Sequence, residues 1–265
     1  MKTGVSTASL FLRCENEEAL PLIDSLGVKT TEVFLCSFSE YNAAYAESLL
    51  PKKGGVHIHS VHALSTQYES QLFSLNARTQ ADAYYWLDGV LQAAKVLGAK
   101  FYTFHGAARM KKGSKTSDKF SVWGKGLSEI SALCADYGVR LCLENVEWAI
   151  CNRPEVFLEL VKECPSLLGV LDTKQARIYG VDYGEYIKAM GDRIAHVHVS
   201  DIDGNGKMCL PGKGTFDFSE LLKRLNGVGF DGPLLIEAYK EDYKEPQELK
   251  EACDYLDELL YKYSF

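Results

Sequence analysis

β-rich and helix-patterned segments alternate from one end of the chain to the other, about once every 33 residues over 265. Strict β-α alternation implies a parallel sheet, because parallel neighbours need a helical crossover between them. Strands are predicted near 3–8, 31–36, 55–61, 101–105, 139–144, 168–172, 193–200 and 233–237. Helices are predicted over 15–26, 41–50, 79–97 and 118–137, from Pro154 onward, and over 182–190, 217–226 and 246–262. Their boundaries carry chemical signals: Gly27, Gly98 and Gly138 stand where helices end, Pro51 stops one, and Pro154 suits a first helical turn. In the third helix Tyr84, Leu87, Leu91 and Ala94 share a face, and in the last Leu249, Ala252, Leu256 and Leu259 do. Eight repeats favour closure into a barrel over an open doubly wound sheet. No Gly-x-Gly-x-x-Gly follows the first strand and no Gly-x-x-x-x-Gly-Lys-Ser/Thr occurs, so nucleotide folds lack their signature. No proline- or glycine-rich linker divides the chain. The expectation is α/β, a single (β/α)8 TIM barrel spanning 1–265.

The balance of residues narrows the partners. Hydrophobic residues make up 46% and charged residues 25%, the proportions of a globular enzyme. A net charge of −7 offers no basic field to a phosphate backbone, so nucleic acid is not expected. The eight cysteines are scattered without a Cys-x-x-Cys pair, as in a chain with reduced thiols. Met1 to Leu12 is too short an apolar stretch for a secretory signal, and no run approaches the ~18 apolar residues of a membrane span. A cytoplasmic location is expected, with no membrane partner.

Four apolar runs in the second half each lead into a group able to bind a metal. Leu141–Leu143 leads into Glu144, Leu168–Leu171 into Asp172, Ile194–Val197 into His198, and Pro233–Ile236 into Glu237. The separations of 28, 26 and 39 residues are each about one strand-helix repeat. In a parallel barrel, C-terminal strand ends converge on one mouth, where active sites lie. Each residue alone has a plainer reading: Glu144 as a solvated loop residue, Asp172 as a helix cap, and His196 or His198 as a structural strand histidine. Glu237 ends a strongly apolar strand, where an uncompensated carboxylate is costly. Together the four point to one metal site, with His198 at the strand end as the ligand rather than His196, two residues earlier on the same face.

These residues also carry a resemblance. His196-Val-His-Val-Ser-Asp201, Leu210-Pro-Gly-Lys-Gly-Thr-Phe-Asp217 and Gly232-Pro-Leu-Leu-Ile-Glu237, with Glu144-Asn145 and Leu171-Asp172-Thr173, resemble the sugar phosphate isomerase/epimerase family. This is the xylose-isomerase-like barrel group, which also includes endonuclease-four-type apurinic-site nucleases. The resemblance covers essentially the whole chain. It implies one divalent metal held by Glu144, Asp172, His198 and Glu237, His198 matching the ligand of the His-x-x-Asp pattern that Asp201 closes. Carboxylates and one imidazole suit a hard or borderline cation: Mn²⁺ foremost, then Zn²⁺, Mg²⁺ or Co²⁺. A metal on a sugar's carbonyl and neighbouring hydroxyl acidifies the C–H between them by stabilising an enediolate. Glu144 and Glu237 would be the catalytic pair, one removing the proton and the other returning it. His62, His105, Lys174, Gln175 and Asp201 are the expected contacts to a small carbohydrate.

The chain departs from the family pattern in two places. Gln175 stands where many relatives carry histidine; it can hold a substrate hydroxyl but is a poor metal ligand. Met208-Cys209-Leu210-Pro211 lacks the Asp and His with which the nuclease branch completes its cluster. His62 and His105 do match the strand-end histidines of that branch, and are read as substrate contacts rather than as ligands of a second metal. His57 and His59 are read as structural, sharing a face from which His62 is excluded. The basic loop Arg109–Lys112 is either a phosphate holder or a solvated loop. The expected function is a metal-dependent isomerase or epimerase of a sugar or sugar phosphate. The alternatives are a keto-inositol dehydratase-like lyase, an apurinic-site endonuclease, or a non-catalytic sugar-binding barrel. Homo-oligomer formation stays open.

Overall fold

Every residue of four of the barrel strands, Thr30–Leu35, Leu168–Asp172, Ile194–Val199 and Pro233–Ile236, is buried. A strand buried on both faces needs a helix layer on one side and a filled interior on the other, which a closed parallel barrel supplies. The computed structural model describes residues 1–64, 66–108 and 120–263. Its barrel runs β1 (Lys2–Ser6), β2 (Thr30–Leu35), β3 (His57–Ala63), β4 (Phe101–Phe104), β5 (Arg140–Glu144), β6 (Leu168–Asp172), β7 (Ile194–Val199) and β8 (Pro233–Ile236). Each strand pairs in parallel with the next, and β8 closes on β1 from Lys2↔Pro233 to Val5↔Ile236. The predicted (β/α)8 barrel is the observed fold.

The described helices are α1 (Asn16–Ser25), α2 (Ala43–Leu49), α3 (Ala77–Leu97), α4 (Phe120–Asp136), α5 (Pro154–Glu163), α6 (Thr173–Tyr179), α7 (Tyr183–Met190), α8 (Phe218–Gly227) and α9 (Gln247–Tyr263). Local chemistry sets their ends. Asn76 accepts from the N–H groups of Arg78 and Thr79 to start α3, and Gly98, at φ 75°, ends it in a conformation that side chains disfavour. The main apolar core lies between helices and strands, with Leu20, Leu87, Leu127, Phe157, Leu222 and Leu256 pressed onto the barrel. Among the described residues no helix is long and apolar enough to cross a membrane.

Two differences from the sequence reading bear on the site. The third strand lies two residues later than predicted, so His62 is within β3, not beyond it. α6, absent from the helices predicted above, is at seven residues too short for helical periodicity to register. The loop Arg109–Lys112 falls outside the described residues.

The barrel interior is divided. A small apolar plug of Phe101, Cys142, Leu168, Val170 and Ala195 fills it toward the N-terminal strand ends. Above the plug the inward residues are polar: Ser60, Thr103, Glu32, His196, His198 and Glu144 are all buried. Two register shifts aim these groups. β2 pairs Thr31↔Ile58 and then Glu32↔Ser60, leaving His59 as an extra residue on β3. β6 pairs Gly169↔Ile194 and then Val170↔His196, leaving Ala195 extra on β7. Such bulges re-aim side chains and gather near active sites. The first of them overturns the simple face rule for β3: His59 and His62 both pack within the histidine cluster of the interior. All six histidines of the chain form one column of ring contacts. Centroids are 6.5 Å apart for His57–His59, 5.2 Å for His59–His196, 5.3 Å for His196–His198, 5.9 Å for His198–His62 and 4.7 Å for His62–His105.

Candidate active site

The four strand-end residues meet at the C-terminal mouth of the barrel. Asn145 fixes the ends of β5 and β6 together: its amide nitrogen donates to the Asp172 carbonyl at 2.8 Å, and its oxygen accepts from the Asp172 N–H at 2.7 Å. Asp172 sits level with His198 across β6 and β7, and Leu235 sits level with His198 across β8 and β7. Glu237 follows β8 directly and continues its ladder through a 3.1 Å bond from its N–H to the Val199 carbonyl.

His198 is the centre of this arrangement. Its Nδ1 lies 2.8 Å from Glu144 Oε1 and 3.2 Å from Glu237 Oε2. Ligand atoms of Glu144, Asp172 and His198 lie within 4.8 Å of one another. Asp172 divides its carboxylate: Oδ1 caps α6 by accepting from Gln175 N at 2.8 Å, and Oδ2 stands 4.0 Å from Lys174 Nζ. Asp172 thus caps a helix with one oxygen while the other faces the Lys174 ammonium. Burial disfavours the imidazolium of His198, but Glu237, Glu32 and Glu144 outweigh it and raise its pKa well above the ordinary value. Burial, against the pull of Lys174, and the neighbouring Glu144 and Glu237 push Asp172 up to about 6. Lys174 loses to burial but gains more from Asp172 and Glu237, so its ammonium stays charged between them, 3.8 Å from Glu237 Oε1 and 4.3 Å above the Tyr239 ring.

The donor set fits a divalent cation. A single N–H on His198 Nδ1 can serve only one of the two carboxylates beside it, and Glu237 Oε2 is buried without a hydrogen-bond partner. A buried unpaired carboxylate oxygen is costly, and an ion in the midst of these groups would satisfy it. Three carboxylates and one imidazole, with no thiolate among them, are donors for Mn²⁺, Mg²⁺, Co²⁺ or Zn²⁺.

The remaining expected residues divide. His62 and His105 reach the mouth: His105 Nε2 is 2.8 Å from Glu144 Oε2 and 3.1 Å from His62 Nε2. Those three residues also bring ligand atoms within 4.8 Å of one another. Against burial, Glu144 and Glu69 push His105 up to about 10. Gln175 turns its oxygen to the Glu147 N–H at 3.2 Å. Asp201, expected among the substrate contacts, turns to the backbone instead. Its two oxygens accept from the N–H groups of Ile202, Gly212, Gly214 and Phe216 at 2.7–3.1 Å, which fills the roughly four acceptor sites of a carboxylate. It organises the segment 210–216. The glycines of the Leu210-Pro-Gly-Lys-Gly motif permit this approach, since a Cβ on Gly214 would stand 2.2 Å from the Ile202 carbonyl oxygen.

A family model described as xylose isomerase-like TIM barrel matches residues 20–259. The chain belongs to that family. The chain is 33% identical to an uncharacterized protein of Methanocaldococcus jannaschii, over 50% of this chain and 48% of that one. It is 26% identical to fructoselysine 3-epimerase of Escherichia coli O157:H7, over 93% of this chain and 94% of the other. A third match, at 25% identity over 45% and 47% of the two chains, is an inosose dehydratase of Lactiplantibacillus plantarum. Among solved structures, a D-tagatose 3-epimerase-like protein superposes over 100% of both chains with a TM-score of 0.80 at 22% identity. The IOLI protein, solved with a zinc atom, superposes over 99% of both chains at 0.79 and 18%.

Sequence reasoning missed two carboxylates in this xylose isomerase-like barrel. Glu32 is fully buried in β2, and Glu69 is fully buried beyond β3, where it accepts from Tyr102 Oη at 2.6 Å and from the His105 N–H at 3.0 Å. A charged residue inside Thr-Thr-Glu-Val-Phe-Leu, a strand otherwise fit for a core, was the available signal for Glu32. Glu69 lies in a polar loop sequence and carried none.

Proposed function

We propose that the protein is a divalent-metal-dependent epimerase or isomerase of a small carbohydrate, moving a proton at the carbon beside a carbonyl. The observation that carries this reading is the convergence of Glu144 and Glu237 on His198 Nδ1, at 2.8 and 3.2 Å. The full-length match to fructoselysine 3-epimerase supports the substrate class. Glu144, Asp172, His198 and Glu237 would hold the ion, which supplies Lewis acidity toward a carbonyl and its neighbouring hydroxyl.

The chain's own groups then do the proton work. Glu144 and Glu237 come from strands separated by β6 and β7, so a sugar carbon between them is open to a carboxylate on each face. Removal by one and return by the other inverts that carbon; return to the adjacent carbon moves the carbonyl. His105, bonded to Glu144 Oε2, orients that carboxylate and can share its proton. Lys174, buried and charged 3.8 Å from Glu237 Oε1, offers N–H donors to substrate oxygens. His62 lines the same wall, 3.8 Å from Glu237 Oε2.

A panel of ketoses in deuterated water, with stripped and metal-restored protein, tests the reading. Metal-dependent wash-in of deuterium at one carbon, with appearance of the epimer or isomer, is the expected result. Loss of water instead of inversion would move the protein to the dehydratase chemistry of its inosose dehydratase relative. No exchange on any sugar with either form would sink the proposal.

A further inference from the structure

Glu32 is the most heavily partnered side chain in the barrel interior, and no step above uses it. It stands in β2 below the mouth with no exposure to solvent. Three hydroxyls donate to it from three strands: Ser6 Oγ at 3.3 Å, Ser60 Oγ at 2.7 Å and Thr103 Oγ1 at 2.6 Å. Three imidazoles face it as well. His198 Nε2 is 3.0 Å and His62 Nδ1 is 3.4 Å from Oε1, and His196 Nε2 is 3.3 Å from Oε2. An ionised carboxylate at such depth persists only if charge and hydrogen bonds replace the water it has lost. Three hydroxyls alone would suffice to hold a structural carboxylate, so the convergence of histidines calls for another reason.

The reason lies on the far side of His198. An imidazole that binds a cation through one nitrogen must carry its proton on the other, and an acceptor behind the ring fixes both its tautomer and its direction. In the structure an N–H on Nδ1 serves Glu144, but with an ion held by Glu144, Asp172 and Glu237, His198 would bind it through Nδ1 and carry its proton on Nε2. That nitrogen is buried and makes no hydrogen bond of good geometry in the structure; Glu32 Oε1 is the carboxylate oxygen 3.0 Å away. The backbone is shaped for the same end, since the register shifts of the barrel fall at Glu32 on β2 and immediately before His196 on β7. We infer that Glu32 is a positioning residue: it holds the proton of His198 on Nε2 and aims Nδ1 at the cation site, so that the affinity of the mouth for a divalent ion depends on a carboxylate that never touches the ion. The inference rests on the metal reading under Proposed function.

The test compares metal affinity, not turnover. Glu32→Gln keeps size and one acceptor but removes the charge, and Ser60→Ala removes a hydroxyl from Oε2, the oxygen that His198 does not face. Mn²⁺ dissociation constants of the intact protein, measured by calorimetry or electron paramagnetic resonance, are expected to rise ~10–100-fold for Glu32→Gln, as for carboxylates behind metal-bound histidines elsewhere. Ser60→Ala should change affinity less than threefold whatever it does to thermal stability. On ¹⁵N-labelled protein loaded with Cd²⁺, the His198 Nε2–H should be a slowly exchanging low-field resonance in the wild type and be shifted upfield or lost in Glu32→Gln. If Glu32→Gln does not fold, that wild-type spectrum decides alone, and a metal bound through Nε2 with the proton on Nδ1 overturns the inference. Equal affinities in the wild type and a folded Glu32→Gln, or an equal loss in Ser60→Ala, overturn it too. A wild type that binds no divalent ion overturns the metal reading and this inference together, whereas a loaded wild type beside an equally loaded variant removes this one only.

Discussion

His198 and His196 lie two residues apart on one strand, yet the interior divides their tasks. His198 Nδ1 meets two strand-end carboxylates, while His196 Nε2 is taken by Thr103 Oγ1 at 3.0 Å and by Glu32 at 3.3 Å. His198→Ala should therefore remove most of the bound metal, and His196→Ala should remove much less. Elemental analysis of both purified variants decides it, and an equal loss would mean the assignment is wrong. Glu237 is argued to be both ligand and base. Glu237→Gln keeps one oxygen for the ion but no longer accepts a proton, so weak metal binding should survive while kcat falls by at least ~10²–10⁴. His105 touches Glu144 and not His198, so His105→Ala should keep its metal and show a raised KM or a lowered kcat. Metal content measured beside kcat separates these outcomes. Loss of half the metal from His105→Ala would point to a second ion among His62, His105 and Glu144.

Strand ends and loop hubs set what the elements contribute. Asp201 draws four backbone N–H groups onto one carboxylate, and Gly214 lies against it with no room for a side chain. Gly214→Ala should cost about 1–3 kcal/mol, the usual penalty for overpacking, and show as a lowered melting temperature with metal affinity unchanged. Much of this architecture was legible in the sequence. Apolar runs bounded by glycine, proline and carboxylate mark all eight strands, and the strand-end positions of Glu144, Asp172, His198 and Glu237 foretell that these side chains gather at one mouth. What escaped had no periodic signature. A bulge adds one residue to a strand without altering its composition, so the inward aim of both His59 and His62 could not be read from alternation. Asp201 sits in a motif whose meaning depends on which backbone N–H groups fold back onto it, and that is decided by the segment 210–216 rather than by the residue.

Across the whole molecule, the mouth gathers more negative charge than its own cations balance. Glu144, Asp172 and Glu237, with Glu32 below them, crowd a space that also holds Lys174, and against burial these carboxylates and Glu69 raise the pKa of His198 and His105. An ion bound only by the folded barrel stabilises it by about 2.7 kcal/mol at a free concentration a hundred times its Kd. For a chain of this size that is roughly 5–10 °C in melting temperature, taking ~2–4 °C per kcal/mol. Chelation should lower the melting temperature by that amount and a divalent salt should restore it; a chelator-insensitive melt would argue against a tight site. The column of six histidines has its own experimental value. Because the chain holds no other histidine, every imidazole signal in an NMR spectrum originates in this one run of rings, from exposed His57 at the start of β3 to His105 at the mouth. Uniform histidine labelling then needs no mutant to isolate the site: six resonances, recorded during a titration with metal or sugar, would trace how far an event at the mouth is felt down the interior.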